Sequence, residues 1–209
     1  MKGKAKFSGF LTYIVLAGTI AIAGCAVNKG TINSHNEPSY QQGSILSLAV
    51  PRIRNARLAP SESQKIGRTV NQAIMQKNPN VMLVSANKFS NILNEKGLVD
   101  DYADFIEDYI TSGIANQNFL KALADEGIDA ILMSELSNAY QQDGAYAINK
   151  AQTRITIHAT IIDTRTNDVV WTASADGIRG SATTVSEAPP LVEAIDLAVR
   201  KIMGALPTL

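Results

Sequence analysis

From Gln152 to Asp163 the chain alternates strictly: Ile155, Ile157, Ala159 and Ile161 interleave with Arg154, Thr156, His158 and Thr160. Only an extended strand sends neighbouring side chains to opposite faces, so this stretch is a strand with one dry face and one wet face. Thr164 to Asp168 turns the chain, and Val169 to Ala175 returns as the partner strand. Whatever else the chain does, it must cover the dry side of this hairpin.

Amphipathic helices are available for that purpose. Pro60-Ser61 opens one, with Ser61 and Gln64 at capping-box spacing and Ile66, Val70, Ala73 and Ile74 on one face. A second, capped by Ser85 and ended by Gly97, carries Phe89, Ile92 and Leu93. Asp100 to Ser112 has Tyr102, Phe105, Ile106, Tyr109 and Ile110 along one side and stops at Gly113; Phe119, Leu120 and Leu123 line a short helix ending at Gly127. Pro189-Pro190 starts a last helix with Leu191, Ile195, Val199 and Ile202 facing inward.

Further strands are read at Ser44 to Val50, at Val81 to Val84, and at Ile128 to Leu136, the last buried on both faces. A polar loop, Ser137 to Lys150, follows and holds Tyr140 and Tyr146. The order β-α-β-α-α-α-β-β-β-α predicts one α/β (α+β) domain over 44–209: a mixed sheet, flanking helices and a late antiparallel hairpin. Trp171 is expected to close that hairpin against a helix.

The segment ahead of the domain has a different character. Lys2, Lys4 and Lys6 precede an apolar stretch from Phe10 to Gly24, about 15 residues, short of the roughly 20 that cross a bilayer as a helix. Basic residues, a short apolar core and small residues at its end read as a secretory signal over 1–24. It closes on Ile22-Ala23-Gly24-Cys25, with the single cysteine of the chain at the cut. The sequence resembles the lipobox of bacterial lipoproteins, which implies acylation of Cys25 and a stable membrane anchor. In such Gram-negative proteins an Asp after the cysteine favours the inner membrane. Ala26 stands there, so the expectation is the outer membrane, periplasmic face. Residues 25–43, rich in Asn, Ser, Gln and Gly and containing His35, read as the lipidated Cys and a flexible tether. The 18 residues after the cysteine would reach at most roughly 60 Å.

The three leader lysines mask the charge of the rest, which carries 16 basic and 19 acidic side chains. A mildly acidic body is a poor partner for a polyanion, so nucleic acid is not an expected ligand. One cysteine gives neither an intramolecular disulfide nor a thiolate metal site. The loop from Pro51 to Pro60 has Arg52, Arg54 and Arg57 but no glycine, so no phosphate-cradling loop is formed there. Asp100, Asp104 and Asp108 stack along one helix without a nearby histidine, and read as an exposed acidic face. The body's remaining imidazole, His158, falls on the wet strand face. The expectation is a non-enzymatic protein with no cofactor and no metal.

The unit Ile161-Ile-Asp-Thr-Arg-Thr-Asn-Asp-Val-Val-Trp171 is similar to the hairpin of a superfamily of bacterial envelope lipoproteins. These are the TolB-amino-terminal-domain-like proteins, the curli-secretion lipoprotein and the lipoprotein activator of penicillin-binding proteins. Val81 to Leu93 resembles the family's second strand and helix, and Gly127 to Met133 its central strand. The resemblance spans about 44–178 plus the lipobox. Two departures stand out: no inserted strand pairs like those of the curli channel, and no long proline-rich tether like that of the synthase activator.

The resemblance implies an outer-membrane lipoprotein that docks onto a periplasmic envelope machine, as a regulator of peptidoglycan synthesis or an accessory of an assembly or secretion complex. Tyr140, Tyr146, Arg52 and Arg54 are the candidate partner contacts, tyrosine being enriched at interfaces. A second reading is a homo-oligomeric ring that scaffolds a secretion pore. A third, a cell-wall hydrolase, would have to use His158.

Overall fold

The computed structural model describes residues 28–38, 40–53, 58–113, 115–145, 150–181 and 186–209. The leader over 1–24, Cys25, Arg54 and Tyr146 lie outside them. In chain order the elements are β1 (Asn28–Lys29), β2 (Ile32–Asn36), β3 (Ser47–Ala49), α1 (Pro60–Lys77), β4 (Met82–Val84), α2 (Ala86–Lys96), α3 (Val99–Ser112), α4 (Gln117–Asp125), β5 (Ala130–Gln142), β6 (Gln152–Asp163), β7 (Val169–Gly180) and α5 (Leu191–Ala205). From β3 onward this is the expected order, and the α/β class with a mixed sheet is correct.

Across the sheet the order is β1-β7-β6-β5-β3-β4, with β2 also on β7. The short strand β3 runs parallel to β4 and β5, whereas β5, β6 and β7 are antiparallel. Two cores flank this sheet. On one face Ile155, Ile157, Ala159 and Ile161 of β6 and Trp171, Ala173 and Ala175 of β7 pack against α1 and α5. The expected dry set of β6 is therefore the set that is buried, and Trp171 sits among it at 1% exposure. On the other face α2, α3 and α4 bring Phe89, Tyr102, Phe105 and Phe119 onto Val84, Ile131 and Ile162. Phe105 and Phe119 lie 4.9 Å apart between ring centres, within the range of favourable ring pairs.

These three helices cover only the first residues of β5 and the last of β6. The rest of that face is open, which is why its side chains are Arg154, Thr156 and His158.

Five local expectations are corrected. Residues 28–36 are not a loose tether: β1 and β2 share one register on β7, from Asn28 opposite Arg179 to Asn36 opposite Trp171. They form one edge strand, interrupted at Gly30-Thr31. It has no apolar alternation because β2 is exposed throughout and is held by backbone hydrogen bonds. The polar loop begins later than expected, since β5 continues through Gln142 past a register shift between Leu136 and Asn138. That extension is polar because helices leave its face bare. The return strand likewise runs on to Gly180, and the first strand shrinks to Ser47–Ala49. Finally, α1 is capped two residues earlier than Ser61 suggests: the Glu62 carboxylate accepts from the Ala59 N–H at 2.9 Å, and Pro60 takes the first helical position, where no N–H is needed.

Candidate functional site

Where α2–α4 end, a groove opens between α3 and the bare stretch of sheet. Its deeper part is a cleft of about 170 Å³ lined by Arg52, Tyr102, Ile106, Tyr109, Ile110, Met133, Glu135, His158 and Thr160 among others. The cause lies in α3. Tyr102 and Phe105 are buried, but the apolar face continues one turn further, so Ile106 and Tyr109 are half-buried and Ile110 is 54% exposed.

A shallower groove of about 420 Å³ shares Tyr109, Glu135, His158 and Thr160 with the cleft. It adds Asn33 and His35 of β2 and Thr172 and Ser174 of β7. The two make one trough. It is apolar beside α3 and becomes a field of hydroxyl, amide and imidazole groups toward the sheet edge.

The trough carries few charges. Arg52, exposed at its rim, donates from Nη2 to Asn87 Oδ1, which orients the guanidinium without neutralising it. Glu135 is opposite His158 on one side, and Ser174 is opposite it on the other. Serine, histidine and glutamate thus form one row across three strands. A nucleophilic triad works through the hydrogen bonds that link its members, and among the described residues none joins Glu135 to His158 or His158 to Ser174. All three side chains carry hydrogen-bonding groups and line the trough.

Beside the trough, Asp176 joins the edge strand to the hairpin. Its carboxylate accepts from Thr156 Oγ1 at 2.8 Å, Arg154 Nη2 at 2.9 Å and Thr31 Oγ1 at 3.3 Å. The Thr156 hydrogen bond, with those of Arg154 and Thr31 and the Arg154 charge, holds this carboxyl below the usual range against a smaller opposing effect of burial. The Asp176 backbone N–H donates to Thr31 O at 3.0 Å, and its carbonyl accepts from Lys201 Nζ at 3.0 Å.

Of the residues singled out in the sequence, Arg52 lines the trough. Tyr140 does not. It lies on β5 opposite Arg154, four residues along β6 from His158, about 13 Å at the rise of a strand. It is 46% exposed, and its hydroxyl donates to Gln142 Oε1 at 2.8 Å. Tyr109, Ile110, Met133 and Glu135 were not foreseen as site residues. The one available signal was the apolar face of α3, which is longer than its core requires.

No family model matches the chain, and no curated protein matches it. Solved structures similar to it include the PelC dodecamer of Paraburkholderia phytofirmans, at 13% identity over 84% of this chain and 95% of that one, with a TM-score of 0.44. Lipoprotein GNA1162 of Neisseria meningitidis is 17% identical over 76% of this chain and 98% of its own, at 0.45. The C-terminal domain of LpoB from Salmonella enterica is 17% identical over 66% and 85%, at 0.41. All three TM-scores lie below 0.5.

Proposed function

We propose that this chain is a non-enzymatic, lipid-anchored protein of the outer membrane that presents its α3–sheet trough to a protein partner in the periplasm. The anchor half of the reading rests on Ile22-Ala-Gly-Cys25 behind a basic and apolar leader. The observation that carries the binding half is the trough itself. An apolar pocket beside uncharged hydrogen-bonding groups suits a partner segment that inserts one apolar side chain and lays a polar stretch along β6 and β7. Arg52 at the rim favours an acidic flank on that segment.

The partner belongs to an envelope machine, a peptidoglycan synthase or a secretion or assembly complex. The test has two stages. Metabolic labelling with a palmitate analogue should mark the wild type and not Cys25→Ala, and the variant should leave the membrane fraction. A photoreactive residue in place of Ile110 should then crosslink to a component of one such machine, and Arg52→Glu should diminish that product. Wild-type chain without label overturns the anchor. Crosslinks indifferent to Arg52→Glu and equally abundant from a probe on α1 overturn the trough.

A second reading is favoured by β2, which presents an exposed, unpaired strand edge among the described residues. Such an edge is a template for pairing with another chain, and a ring built from copies of this one would use it. The mass of the lipidated protein in mild detergent, corrected for bound detergent, separates the two: a monomer rejects the ring, and a closed oligomer supports it.

A further inference from the structure

We infer that the folded domain sits directly on its membrane in one orientation, with the end of the sheet that carries Asn28, Gln142, Gln152 and Gly180 against the lipid surface. This rests on the anchoring of Cys25 proposed above and adds to it the surface that faces the lipid. The decisive observation is where the edge strand begins. Asn28 already pairs with Arg179, and only Ala26 and Val27 separate it from Cys25. Three residue steps span at most about 11 Å. An 18-residue tether would let the domain drift and tumble; one this short does not.

The strand is fastened along its length. The register is unbroken from Asn28 opposite Arg179 to Asn36 opposite Trp171. Glu37 N–H continues it to Val170 O at 3.0 Å. In its middle, Thr31 is tied to Asp176 by both backbone and side chain. Gly30 is pressed so closely on β7 that a β-carbon there would stand 2.0 Å from Asp176 O and from Lys201 Nζ. The glycine therefore fits a docked strand and has no such role in a free linker.

Strand direction then fixes the rest. Asn28 is at the end of the sheet where β5 stops, β6 starts and β7 stops, since Gln142 pairs with Gln152 and Gln152 with Gly180. Asp143 and Gly144 after β5, Lys150 before β6 and Ser181 after β7 lie at that end, so they meet the lipid surface. Tyr140 is near it too, which places an exposed tyrosine at the height where amphipathic rings sit at membrane interfaces. The turn after Asp163 points away, about 35 Å further along β6. His158 and the trough are held about 20 Å above the base of the sheet, within reach of a partner that is itself bound to or close to the same membrane.

The test uses the full chain, lipidated in cells, purified in detergent and reconstituted into vesicles of phosphatidylethanolamine and phosphatidylglycerol with an energy acceptor on a headgroup. With Cys25 acylated, Lys150→Cys and Thr166→Cys each provide one thiol for a donor dye, near the base and at the far turn. Transfer from residue 150 should exceed that from residue 166 severalfold. Insertion of a long Gly-Ser linker between Ala26 and Asn28, which leaves every pairing intact, should remove most of the difference. Protein that floats with the vesicles but transfers equally from both sites overturns the orientation alone. Protein that does not float overturns the anchor and the orientation with it.

Discussion

Gly177 of β7 and Ala194 of α5 touch backbone to backbone: a β-carbon on the glycine would stand 1.9 Å from the Ala194 carbonyl oxygen. The closeness lets α5 lie flat on the hairpin, where Ala194, Ile195 and Ala198 are fully buried. Both contacting atoms belong to main chains, so neither can turn aside as a side chain would. Gly177→Ala should therefore push α5 off the sheet and cost roughly 1–3 kcal/mol or more, as forced overpacking does. Thermal unfolding followed by circular dichroism measures the loss. An unchanged midpoint would show that α5 is not seated as described.

The hairpin shows how much of this fold can be read in the sequence. Ile155 to Ile161 alternate because one face meets α1 and α5 and the other meets water, and a period of two is hard to mistake. The apolar faces of α1, α3, α4 and α5 are legible for the same reason. The edge strand was not legible. Gly30 to Asn36 are exposed, and the attachment of the strand is carried by backbone groups that every residue possesses. Polar residues from Ser137 to Gln142 mislead in the same way, because burial patterns report covered faces and this face is bare. The trough follows suit: Arg52 was visible as a charge, whereas Glu135 and Ile110 became site residues only when β5 and α3 were placed beside each other.

Asp176 gives the edge strand a dependence on pH. Its native pKa is lowered, so the ionised form is the one that the fold prefers. The stabilisation is fully present above the ordinary carboxylate value of 3.8, and it is lost as the pH falls through the lower native value. On protonation Arg154 and the hydroxyls of Thr156 and Thr31 lose a charged acceptor together. Amide exchange across residues 28–36 and at Asp176 should accelerate on acidification, relative to the core amides of β6. Asp176→Asn should already show faster exchange of these amides at neutral pH and should change less with acid. Equal acid sensitivity in the variant would assign the effect to another carboxylate.

At the far turn Asp163 is 5% exposed, and its Oδ1 accepts from the N–H groups of Arg165 at 2.8 Å and Thr166 at 3.2 Å. The Arg165 guanidinium then reaches Asp163 Oδ2 at 3.1 Å and Ser44 O at 3.3 Å, joining the hairpin to the approach to β3. The same ion pair raises the Arg165 pKa above its usual value. Asp163→Ala would orphan both turn amides and release the arginine, at a cost of about 2–3 kcal/mol. Asp163→Asn keeps an acceptor for the amides and gives up only the charge, so it should lose roughly half as much. Denaturant midpoints of the two variants provide the comparison. Equal losses would mean that the ion pair, not the turn, is what Asp163 supports.

The trough and the core beneath it should separate cleanly by mutation. Phe105 is fully buried, 4.9 Å from Phe119 and 6.2 Å from Tyr109 between ring centres, so it holds up the helix that forms the trough's apolar wall. Phe105→Ala removes a large buried ring and should cost about 3–5 kcal/mol. Ile110 lies one turn further along the same helix at 54% exposure. Its replacement by Ala should change stability by no more than about 0.5 kcal/mol. If the trough is a docking surface, the ranking for partner binding differs from the ranking for stability: Ile110→Ala weakens capture although the protein unfolds at the wild-type temperature. Calorimetric unfolding paired with crosslinking yield from a neighbouring trough position reads both quantities. Wild-type yield from Ile110→Ala would mean that the exposed end of α3 is surplus to the partner.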